Sequence, residues 1–261
     1  MAIVLAAAPV TAGELAAVSD LDVRGAEVAI LGEVHDNPAH HRNQALALVA
    51  LAPAAVVYEM LTPEQAATVN RAERSDAVAL ATALNWDKGG WPDFALYHPL
   101  FLATDALVYG AAIPREELSV AMRDSAAVAY GTGEPVFPLG PLPAGEQALR
   151  EDLQREAHCN ALPEEMLPGM VEAQRLRDAR FSAVVLRALE ETGGPVAVIT
   201  GNGHARRDWG MPRYLLAARP GLALFSLGQF EESAEPAPPF DAWLITPAAE
   251  REDPCAVFSK S

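Results

Sequence analysis

Two segments of the same form, Gly32-Glu33-Val34-His35 and Gly201-Asn202-Gly203-His204, each close a short apolar run, Val28–Leu31 in one case and Val196–Thr200 in the other. Runs of this kind read as buried parallel strands. A glycine at the end of each allows a sharp turn. A titratable side chain placed there stands at the carboxyl edge of a sheet, where open α/β folds bind ligands. A third run, Ala54–Tyr58, ends in Glu59; as a neighbouring strand it brings that carboxylate to the same edge. Two imidazoles and a carboxylate suit a divalent metal ion, with His35, Glu59 and His204 as ligands, or a base with its orienting partner. The catalytic candidates are therefore His35, Glu33, Glu59 and His204.

Around them lie residues with two readings each. Asp36 caps the following helix or contacts a ligand. His41 faces inward on that helix, three and seven residues before Gln44 and Leu48, whereas His40 reads as solvated. Asn202 is a candidate ligand contact inside the second turn. Arg206 belongs to an exposed helical turn or neutralises an anionic ligand with its planar fork. Tyr58, Tyr97 and His98 are either packing residues or haem ligands, since Tyr and His both bind haem iron.

The elements that must carry these residues alternate. Residues 10 to 25 read as a leading helix or loop. After the strand ending at Leu31, Asn37-Pro38 reads as an N-cap followed by Pro at the first helical position, opening a helix to Leu51. A mainly helical insertion follows from roughly 62 to 192, with helices from Thr62, from Trp91, over 145–159 and over 163–192, and a strand near 108–113. The end returns to α/β, with a helix at 211–218 and strands at 222–227 and 241–245. The expected class is α/β, a largely parallel sheet flanked by helices, with 1–261 one domain carrying the smaller helical insertion.

Bulk composition removes several functions. Hydrophobic residues make up 51% and charged residues 21%, which suits a globular core. The net charge of -16 argues against nucleic acid and anionic membranes as partners. There is no P-loop, no third glycine of a dinucleotide fingerprint, no Gly-x-Ser-x-Gly elbow and no Cys-x-x-Cys-His. The two cysteines do not make a disulfide framework. No apolar run reaches the length of a membrane span. Ala2–Val10 is apolar with an Ala-x-Ala but no basic residue before it, so the chain reads as cytoplasmic as written, or periplasmic if a leader preceded it.

The motifs also resemble a family. Leu31–Pro38 with His41 and Gln44, Tyr58-Glu59-Met60, Trp91–Phe94 with Tyr97-His98-Pro99, Ala173-Gln174 with Arg177-Asp178, and Thr200–Pro212 resemble, in order, the motifs of the ChaN-like proteins of the haem-binding uptake/Tiki superfamily. That resemblance implies an α/β fold, haem as ligand, iron and haem uptake in bacteria, and a homodimer. Wider relatives include metal-dependent proteases and erythromycin esterases, whose Gly-x-x-His histidines and Glu would correspond to His35, His204 and Glu59. Two expectations follow. One is a haem-binding uptake protein; the other is a metal-dependent hydrolase acting on a small-molecule or peptide substrate, with a divalent ion activating water and Glu33 or His41 as base.

Overall fold

The computed structural model describes residues 13–132 and 135–257. Seven strands, β1 (Gly13–Leu15), β2 (Val28–Glu33), β3 (Ala55–Tyr58), β4 (Leu107–Gly110), β5 (Val196–Gly201), β6 (Leu224–Glu231) and β7 (Ala242–Thr246), form one sheet in the order β1-β7-β6-β2-β5-β3-β4. Every neighbouring pair is parallel, as the continuous apolar runs require. Ten α-helices are found among the described residues: α1 (Pro38–Leu51), α2 (Pro63–Val69), α3 (Ala77–Ala83), α4 (Phe94–Leu102), α5 (Arg115–Arg123), α6 (Ala126–Tyr130), α7 (Ala144–Ala157), α8 (Leu167–Thr192), α9 (Asn202–Ala205) and α10 (Met211–Ala218). None of them is long and apolar enough to cross a membrane.

Strand pleating sorts the core into two layers. Side chains alternate between sheet faces, so Ala29, Leu31, Val56 and Tyr58 pack with Leu48 of α1 and Tyr97, Leu100 and Phe101 of α4. Val28, Ile30, Ala55 and Val57 pack on the other face with Phe181 and Val185 of α8 and Met211 and Leu215 of α10. The same parity governs the strand ends. Glu33, in step with Leu31, goes to the α1/α4 face; Glu59, in step with Val57, goes to the α8 face.

The chain leaves the two central strands in opposite directions. From β2 it crosses through α1 to β3, and from β5 it crosses through α10 to β6. Adjacent strands whose crossovers leave onto opposite faces of the sheet, α1 on one and α10 on the other, open a crevice at their carboxyl ends, the place where ligands bind in such sheets.

Several local expectations are corrected. The 10–25 segment holds the edge strand β1, paired with β7 from Gly13↔Ala242 to Leu15↔Leu244, and a single 3-10 turn at Val18–Asp20; three residues are too few to show a period. Residues 10 to 12 of that segment, and the N-terminal Ala2–Val10 run, lie outside the described residues. Among the described residues of 62–192 lie helices α2 to α8, together with strand β4, an edge of the sheet. Gly32 does not make a turn. It lies inside β2, and a Cβ there would stand 2.4 Å from Asn202 Oδ1 and 2.8 Å from the Leu227 carbonyl, so glycine is required by close approach. Asn37, not Asp36, caps α1, its side chain accepting from the Ala39 N–H.

Candidate functional site

The first Gly-x-x-His segment builds a carboxylate–imidazole pair from its own residues. Glu33, the last residue of β2, is 2% exposed. Its Oε1 accepts from His35 Nδ1 at 2.7 Å and from the Tyr97 hydroxyl at 2.9 Å. A carboxylate can only accept here, so Nδ1 of His35 carries the proton and Nε2 is left for the cleft. Nε2 lies over Gly201, where a Cβ would come within 3.0 Å. Trp91 meets the ring edge-on at 5.1 Å. Behind Glu33 sits His41, whose Nε2 donates to the His35 carbonyl at 2.8 Å and whose Nδ1 is 3.5 Å from Glu33 Oε2.

The second segment obtains its carboxylate from elsewhere. Asn202–Ala205 forms α9, directly after β5. His204 Nδ1 is 2.7 Å from Oδ1 of Asp178, a fully buried residue of α8, and the Gln174 amide lies 3.1 Å from the same nitrogen. Glu59 stands between the two histidines. Its Oε2 accepts from Thr200 Oγ1 at 2.6 Å and from the Gly201 N–H at 2.9 Å, and its Oε1 is 3.6 Å from His204 Nε2.

These neighbours set the proton affinities. Burial works against a charged His35, but the hydrogen bond to Glu33 and the charges of Glu59, Glu33 and Asp36 outweigh it and raise the pKa to about 9. Burial likewise opposes ionisation of Glu59, yet the histidines 204 and 35, with the bonds from Thr200 and Gly201, hold it below the usual carboxylate range. Asp178 goes the other way, because burial outweighs the attraction of His204.

His35, Glu59 and His204 thus line one cleft of about 480 Å3, within the range of about 300–1,000 Å3 usual for small-molecule sites. Trp91, Ile113, Leu118 and Phe181 supply apolar wall, and Arg115, Gln174 and Arg177 supply polar groups. Among the described residues no three His, Cys, Asp or Glu side chains are arranged to hold a metal ion. The expected divalent ligands His35, Glu59 and His204 are not such a group, although all three line the cleft. Both Nδ1 atoms face carboxylates, and Glu59 is turned to Thr200 and Gly201.

Other expected contacts lie apart from the cleft. Tyr97 is fully buried behind Glu33, and burial raises its hydroxyl far above the usual range. Tyr58 is stacked on Phe101 at 4.8 Å. His98 is bonded to the Arg74 carbonyl at 2.8 Å. The Asn202 amide pairs with the backbone of Gln229 on β6. Arg206 is held by Asp208 and lies over the Trp209 ring at 4.0 Å. Asp36 pairs with Arg251 at 2.8 Å. His40, read as solvated, is fully buried: its Nδ1 accepts from the Val34 N–H, its Nε2 lies 2.9 Å from Thr246 Oγ1, and burial lowers its pKa to about 4.

Four lining or supporting residues had no assigned role in the sequence reading: Asp178, Gln174, Arg177 and Arg115. The first three share one face of α8 with Phe181, at spacings of three and four. That pattern was visible in the sequence, but nothing in it pointed to His204, 26 residues further along. Arg115 follows a proline in a loop and gave no signal.

A family model described as "Haem-binding uptake, Tiki superfamily, ChaN" matches residues 21–215. The fold is similar to a solved structure described as "Cofacial heme binding to ChaN of Campylobacter jejuni", with 20% identity, a TM-score of 0.64, and 83% of this chain and 86% of that one covered. A weaker likeness, with a TM-score of 0.46 and 11% identity over 87% of this chain and 95% of that one, is to the type III effector HopBA1. No curated protein matches the sequence.

Proposed function

The chain belongs to the ChaN family of the haem-binding uptake, Tiki superfamily, and from that membership we propose that it binds haem in the cleft at the carboxyl edge of the sheet and serves iron and haem uptake. The observation that carries the proposal is His35. Its ring borders an apolar-walled cleft, is about one-third exposed, and has Nδ1 anchored on a buried carboxylate. A carboxylate behind a ligating imidazole fixes the tautomer and raises its basicity as a ligand. Trp91, Ile113, Leu118 and Phe181 suit the faces of a macrocycle, so the residues present fit the group. When bound, haem would supply the iron; the chain would supply the nitrogen ligand, the walls and the exclusion of water.

Titration of the purified protein with haemin, followed at the Soret band, tests this. A saturable shift at fixed stoichiometry supports it, and a non-saturating response equal to that of an unrelated acidic protein overturns it. The reading includes a homodimer, checked by sedimentation of the apo and haem-loaded protein. It also includes a periplasmic location, supported by the Cys159–Cys255 disulfide, since such bonds persist in oxidising compartments.

A second reading rests on a separate observation: two histidines, each held by a buried carboxylate, flank Glu59. That arrangement suits hydrolysis by acid–base chemistry, with the low-pKa Glu59 as base and the protonated His35 as acid. Turnover of an ester or peptide panel, abolished by Glu59→Gln, would establish it. No turnover across the panel, with or without added divalent metal, would remove it.

A further inference from the structure

We propose that Arg115 and Arg177, at the mouth of the cleft, take the two propionate carboxylates of the haem. This rests on the haem reading and adds the recognition of the ligand's acidic arms. Both arginines line the same cleft as His35, Glu59 and His204. Arg177 is half-buried on α8, one residue before Asp178, and Arg115 is exposed at the first position of α5. Neither has an ion pair among the described residues.

The neighbouring acids are engaged elsewhere. Glu117 is paired with Arg180 and Glu172 with Arg175, while Glu33, Glu59 and Asp178 face the two histidines. Of these three acids Glu59 alone lines the cleft, with the two guanidinium groups on the same lining. A carboxylate there favours a positively charged centre, and guanidinium forks favour carboxylates. Ferric haem joins both features in one ligand. Arg206, the arginine singled out in the sequence for an anion, is committed to Asp208 and Trp209; the task falls to this pair instead.

The test compares haemin with its dimethyl ester, in which both propionates are esterified, in the same cosolvent and at low salt. The wild-type protein should bind haemin roughly tenfold more tightly than the ester, about what charge-assisted hydrogen bonds at a partly exposed site give. In the Arg115→Ala/Arg177→Ala variant that preference should fall to near one, and in Arg42→Ala, an exposed arginine on α1 away from the cleft lining, it should persist. Equal binding of both ligands by the wild-type protein overturns the proposal while leaving haem binding intact, and so does a preference that survives in the double variant. Binding of neither ligand removes the haem reading and this proposal with it. The wild-type comparison needs no mutation, and thermal unfolding of each variant reports its fold.

Discussion

His35 donates to Glu33 across 2.7 Å, although the two residues are only two positions apart. Strand pleating buries Glu33 beneath the α1/α4 layer, and the chain then leaves the sheet and turns the imidazole back over its own carboxylate. The Glu in Gly-Glu-Val-His is therefore the group that orients the His, and the Tyr97 hydroxyl holds it in turn. His204 receives the same support from Asp178, delivered by a helix.

On the proposed reading, the raised pKa of His35 should make haem binding pH-dependent. A ring protonated up to about pH 9 must lose its proton to bind iron, so affinity should climb by up to about tenfold per pH unit and level off near pH 9. Stability of the apo protein has the opposite sign. A folded pKa above the ordinary imidazole value of 6.5 adds stability that is fully present below that value and lost as pH rises through about 9. Haemin titrations and chemical denaturation between pH 6 and 10 check both slopes.

Gly201→Ala should impair the site and spare the fold. The backbone there, at φ -64 and ψ 152, accepts alanine, but its Cβ would stand 3.0 Å from His35 Nε2 and 3.2 Å from Cε1. The partly exposed ring can swing away. The stability change is expected to stay within about 1 kcal/mol, with haem affinity reduced by about tenfold. Thermal unfolding and a haemin titration of one variant give both numbers.

Much of this was legible in the sequence, and the reasons are local. The runs at 28–31, 54–58 and 196–200 are too apolar and branched for anything but central strands, and Asn37-Pro38 marks its helix start unambiguously. Their ends placed His35, Glu59 and His204 at one edge. What escaped depended on tertiary contact. Asp178 reaches His204 only because α8 packs across the sheet. His40 is buried by a bond to Thr246 on β7, 206 residues away in sequence, and Asn202 turns to Gln229 rather than to a ligand. Gly32 was misread because a strand glycine and a turn glycine look alike until the neighbour that crowds it is known.

The disulfide should matter for stability more than for the site. Cys159 and Cys255 join across a separation of 96 residues, and a disulfide typically adds about 2–4 kcal/mol of stability. Cys159→Ser/Cys255→Ser should lower the unfolding free energy by that amount, moving the denaturation midpoint down, while haemin affinity stays within about twofold. The wild-type protein treated with reductant should unfold at the same midpoint as the variant.

The most direct test of the central claim is a haemin titration of His35→Ala beside the wild-type protein, read at the Soret band. Because His35 is partly exposed and ends its segment on the cleft, the variant should fold normally. The account predicts a saturable Soret shift for the wild-type protein and, for the variant, a changed spectrum with affinity reduced by at least about tenfold, as expected when the iron's nitrogen ligand is lost. An identical spectrum and affinity in the two proteins would contradict it and remove His35 as the ligand.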